Sequence, residues 1–94
     1  MKNFNKIESM AKKIENGKGF KVLEVPRAEL MDATGGPGVC DHCLATPNVG
    51  YYIAVLNHWV CPSCYERWSK NATFYHEDVE VENRHYDGMV SMLE

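Results

Sequence analysis

The sequence predicts a small α+β fold, a β-hairpin leading into a helix and pinned by four cysteines, with a further helix at each end of the chain. Three observations predict it. The cysteines fall in two close pairs, Cys40 with Cys43 and Cys61 with Cys64. Two runs rich in β-forming residues lie between the pairs. Apolar residues recur at three- and four-residue steps both before the first pair and after the second. At 94 residues the chain makes one folded unit. A chain this short buries only roughly 60–65% of the surface its unfolded form exposes, so a covalent or metal staple matters to its stability.

From Asn3 to Asn16 the apolar positions Phe4, Ile7, Met10, Ala11 and Ile14 predict an amphipathic helix capped by Asn3 and ended by Gly17 and Gly19. Phe20 to Val25 reads as a strand that stops at Pro26, and Pro26 opens one or two helical turns from Arg27 to Ala33. Thr34-Gly35-Gly36-Pro37-Gly38 reads as a plain connector, because no Lys-Ser/Thr pair follows to make it a phosphate cradle. Val49 to Leu56 and His58 to Val60 form a hairpin around Asn57. Pro62 suits the first position of a helix reaching about Ala72, which places Cys61, Cys64, Tyr65 and Trp68 on one face. In the acidic tail, Tyr86, Met89, Val90 and Leu93 keep helical spacing and predict a terminal helix, although Gly88 weakens it. Residues 1–38 are expected to pack on a cysteine-bearing unit of residues 39–94.

The cysteines form the pattern C-x2-C-x17-C-x2-C. The start of the chain mixes charge too evenly for a signal peptide, and no apolar run reaches the length of a membrane span. The expected location is therefore cytoplasmic and reducing, where paired thiols hold metal more often than they form disulfides. A two-residue spacer lets a tight turn aim two sulfurs at one point about 2.3 Å from a Zn2+ ion, and two such corners complete a tetrahedron. Cys40, Cys43, Cys61 and Cys64 are thus the expected ligands of one structural Zn2+. His42 and His58 are close enough in sequence to replace one cysteine in a three-cysteine, one-histidine variant of the site. Four thiolates leave no coordination position for water, which argues against a catalytic metal, and no βαβ pattern accompanies the cysteine pairs to support dithiol redox chemistry.

A cysteine knuckle, a hairpin and a second knuckle on the first turn of a helix is the order of the treble-clef zinc finger, which residues 38–72 resemble. The spacing, with Thr46-Pro47 after the first pair, is similar to the GATA-type finger. The resemblance implies a zinc-organised hairpin and helix. It does not extend to charge, since GATA-type fingers carry basic residues on the hairpin and behind the helix, whereas Val49 to Leu56 is uncharged and the tail here is acidic.

The formal charge is −3 for the whole chain. Residues 40–94 hold only Arg67, Lys70 and Arg84 against Asp41, Glu66, Glu77, Asp78, Glu80, Glu82, Asp87 and Glu94. Duplex binding draws on neutralised phosphates, so this half is not expected to bind DNA. In a strand Tyr51 and Tyr52 point to opposite faces, and one of them is expected to contact a partner. No nucleophile with a base and no open histidine site can be placed, and His76, Glu77, Asp78 and His85 read as solvent-facing residues of the tail. The expected function is a protein-binding or regulatory adaptor built on structural zinc, without catalysis or membrane contact, with self-association open to it. The alternative is a nucleic-acid-binding regulator using Lys2, Lys6, Lys12, Lys13 and Lys18 of the first helix.

Overall fold

The computed structural model describes residues 10–94. A four-stranded antiparallel sheet is laid out in chain order from β1 (Lys12–Ile14) through β2 (Val22–Pro26) and β3 (Val49–Ile53) to β4 (His58–Val60). Helix α1 (Arg27–Thr34) links β2 to β3, α2 (Pro62–Asn71) follows β4, and a 3-10 turn at His76–Asp78 leads into α3 (Val79–Leu93).

The register sorts the strands into two faces. Leu23 pairs with Tyr52 and Tyr52 with Trp59, while Val22 pairs with Ile53 and Ile53 with His58. Because side chains alternate along a strand, these two rows lie on opposite sides of the sheet. The first side carries a core of Leu23, Val25, Tyr52, Ala54 and Trp59 closed by Leu30 of α1 and Met89 of α3. The second carries Ile53 and Val60 with Cys40, Cys61 and Cys64, flanked by Tyr65 and Trp68 of α2. Three of the cysteines therefore belong to one side of a two-sided core.

The expected first helix is corrected over residues 12–14, where the structure has strand β1 on the edge of the sheet. Residues 3–9 of that stretch, Phe4 and Ile7 included, lie outside the described residues. The strand prevails because Asn16 and Gly19 close a turn, with the Gly19 N–H donating to the Asn16 carbonyl at 2.9 Å, and this folds Lys12–Ile14 back onto β2. The turn is also tied down. Asn16 is buried, and its Nδ2 donates to the Tyr65 hydroxyl at 2.9 Å and to Ser69 Oγ at 3.2 Å, both on α2.

The glycine-rich connector is held in place. The Arg27 guanidinium donates from Nε to the Gly38 carbonyl at 2.6 Å and from Nη2 to the Pro37 carbonyl at 3.2 Å. The terminal helix docks through polar groups as well as its apolar stripe. Glu82, 3% exposed, accepts the Lys21 N–H at 2.7 Å, and His85 Nδ1 donates to the Ala54 carbonyl at 2.7 Å. His85 thus departs from the solvent-facing role expected of it. No helix among the described residues is long and apolar enough to cross a membrane.

Candidate metal centre

The first cysteine pair sits in a tight turn between the connector and β3. Leu44 N–H donates to the Cys40 carbonyl at 2.9 Å and Cys40 N–H to the Ala45 carbonyl at 2.7 Å, closing the chain around the sulfurs. The His42 and Cys43 N–H groups both donate to Cys40 Sγ at 3.4 Å. Asp41 fastens this turn to the sheet, its N–H donating to the Trp59 carbonyl at 2.9 Å and its Oδ2 accepting the Trp59 N–H at 3.0 Å. Sequence reasoning passed over Asp41, although an acidic residue inside a C-x2-C spacer was the available signal.

The second pair opens α2. Cys61 is the N-cap in extended conformation, Pro62 takes the first helical position, and Cys64 lies in the first turn. Both residues stand at the start of the helix, the end that carries its positive partial charge. Arg67 Nη1 approaches Cys64 Sγ at 3.9 Å and adds positive charge.

The hairpin brings these corners together. All four sulfurs lie within 4.8 Å of one another, and Cys43 Sγ is 3.7 Å from Cys61 Sγ. Four sulfurs about 2.3 Å from a common ion stand about 3.8 Å apart along the edges of a tetrahedron, so the cluster is close to the size that Zn2+ requires. Cys40, Cys61 and Cys64 are buried, whereas Cys43 is exposed.

The electrostatics also fit a cation. Burial pushes the Cys40 thiol up, but backbone N–H groups of Cys61, Cys43 and His42 outweigh it and bring the group from 9.0 down to about 6. Burial pushes Cys64 the other way, to about 12, reinforced by its contacts with the other three sulfurs. The Cys40 sulfur is thus prepared as an anion while Cys64 resists a second negative charge beside it. A divalent cation at the centre resolves that conflict.

His42 and His58 do not take a cysteine's place in the cluster. They turn to each other, His42 Nε2 and His58 Nδ1 being 3.1 Å apart. The two tyrosines also divide. Tyr52 is corrected as a partner contact, because it is 2% exposed and its hydroxyl donates to Asn57 Oδ1 at 2.6 Å. It does point away from the cysteine side, as alternation requires, but α1 and α3 cover that face. Tyr51 is half-buried and stacks on Tyr65 with ring centroids 4.8 Å apart.

Fold and site together define a small α+β module with a four-cysteine candidate metal centre between a hairpin and a helix. No family model, curated protein or solved structure matches the chain.

Proposed function

We propose that the chain is a zinc-stabilised interaction module of treble-clef type, whose metal holds the fold together and whose surface binds a protein partner without catalysis. The observation that carries the zinc reading is the convergence of four sulfurs from two separate corners to within 4.8 Å. Cys40, Cys43, Cys61 and Cys64 would hold the ion, which when bound supplies charge neutralisation and crosslinking; a full set of four thiolates offers no place for a reacting water. The element order of cysteine turn, hairpin, and helix bearing the second pair supports the treble-clef assignment.

The adaptor reading is supported by a continuous rank of rings beside the cysteine face. Tyr51 stacks on Tyr65, Tyr65 neighbours Trp68 at 6.1 Å, Trp68 meets Phe20 at 4.7 Å, and Phe20 meets Phe74 at 5.3 Å. The rank emerges at Phe74, 38% exposed, beside Tyr75, 54% exposed. Aromatic side chains, Tyr and Phe among them, are enriched at protein interfaces relative to the rest of the surface.

Two measurements test the proposal. Purified chain should carry one zinc per molecule, and a strong chelator should remove both the zinc and the far-ultraviolet circular dichroism of the fold; a well-folded chain with cysteines and no metal would sink the zinc reading. For the surface, the double substitution Phe74→Ser with Tyr75→Ser should abolish capture of the partner retained by the native chain while zinc content stays at one. Equal capture by both proteins would rule this surface out.

A further inference from the structure

We infer that His42 and His58 form a second metal site, exchangeable and open to solvent, for a first-row divalent ion such as Ni2+, Cu2+ or a second Zn2+. The site is separate from the cysteine cluster, and the inference goes beyond the structural zinc proposed above. It starts from one juxtaposition: His42 Nε2 and His58 Nδ1 lie 3.1 Å apart, with the rings nearly perpendicular at 87°.

An ion about 2.0–2.1 Å from each nitrogen would subtend an N–metal–N angle of about 100°, between the square-planar and tetrahedral values. The nitrogens are therefore already spaced as two adjacent ligands. Each ring stands on backbone that is fixed for other reasons. His42 lies in the turn whose N–H groups bond Cys40 Sγ, and His58 opens β4 opposite Ile53. Little ordering remains for the ion to impose, which is the main cost of assembling a chelate.

The proton balance is neutral. In the metal-free pair one nitrogen carries the proton shared between the rings. On coordination that proton moves, through solvent, to the other nitrogen of the same ring, so His42 keeps Nδ1–H and His58 keeps Nε2–H. Both imidazoles bind as neutral ligands, the form that first-row divalent ions take. Water fills the remaining positions, so the ion exchanges readily. The other two histidines are placed differently, since His85 Nδ1 is engaged by Ala54 and His76 stands in the exposed 3-10 turn.

The test uses the full, untagged, zinc-loaded chain with Ni2+ as probe, followed by isothermal titration and by retention on an immobilised nickel column, with zinc per chain measured before and after. The expected result is one Ni2+ taken up with zinc unchanged. His42→Ala and His58→Ala should each weaken uptake roughly a hundredfold, because each removes one arm of a chelate, and the double variant, with no arm left, should show no uptake at this site. His76→Ala should bind as the native chain does. Native affinity in either His42→Ala or His58→Ala overturns the inference, as does nickel uptake matched by zinc release with sulfur-to-nickel absorption in the near ultraviolet. Failure of the zinc proposal is read separately, as a chain without zinc before nickel is added; the two histidine variants still decide the pair in that case.

Discussion

Leu44 follows the first cysteine pair with φ of 69°, a left-handed conformation, and its side chain is 72% exposed. A branched residue there pays about 1 kcal/mol in steric strain and recovers almost nothing through burial. Leu44→Gly relieves the strain at the expense of a more flexible unfolded chain. It should stabilise the protein by roughly 0.5 kcal/mol, seen as a rise of a few degrees in thermal midpoint; a fall would show that the Leu44 side chain stabilises the turn by more than its strain costs. Tyr52 makes the opposite case, a polar group whose burial sets a pH dependence. Burial raises its hydroxyl from 10.0 to about 12 in the folded chain. Since the unfolded chain ionises first, stability from this group is intact below pH 10, declines as pH rises, and has lost ~2 kcal/mol by pH 12. Tyr52→Phe lacks the titrating group and loses the bond to Asn57 Oδ1, worth about 1 kcal/mol. The variant should be the less stable protein at neutral pH, with the gap closing above pH 10 and reversed by pH 12 in denaturant melts. A constant gap would show that Tyr52 ionises equally in both states.

At the scale of elements, the hairpin depends on a close approach between β3 and the indole of β4. A Cβ on Gly50 would lie 2.5 Å from Trp59 Cε2 and Cζ2 and 2.7 Å from the Val60 carbonyl oxygen. The indole has no room to yield, because its Nε1 donates to the buried Val25 carbonyl at 3.1 Å. Gly50→Ala should therefore cost about 2 kcal/mol or more, measured by urea unfolding, and a loss under 0.5 kcal/mol would mean that the strands part easily. The hairpin, α2 and the terminal helix were legible in the sequence because each carries a local signal: a turn residue at Asn57, a proline at the first position of α2, and a stripe ending in Leu93. The cysteine cluster was legible for a different reason, since spacing constrains sulfurs whatever the surroundings. Strand β1 was hidden because Ile14 fits a helical stripe and an edge strand equally well, and the pairing that decides between them is with β2, distant in the local pattern. The side of the sheet that receives Tyr52 was also hidden. Alternation separates it from Tyr51 but cannot reveal that helices α1 and α3, from opposite ends of the chain, cover the far face.

For the whole molecule, the sheet belongs to two cores at once. Tyr52 and Trp59 on one side alternate with Ile53 and Val60 on the other, along the same two strands. Three of the five residues in the buried cluster on the second side, Cys40, Cys61 and Cys64, are cysteines. If the metal proposed for them is removed, the loss of the crosslink dismantles that side, and a chain with so small a core has little reserve. The strands cannot loosen on one face while remaining packed on the other, because their backbone is common to both. Metal loss should therefore unfold the far core as well, and the two tryptophans allow this to be read. Trp59 is 4% exposed and sits in the core away from the cysteines, whereas Trp68 packs on the cysteine side. In a Trp68→Phe variant the remaining indole reports the far core alone. Chelation should shift its emission to the red in the same transition that abolishes circular dichroism. If Trp59 emission held steady while the metal left, the two cores would be independent and the cysteines would stabilise only their own side of the sheet.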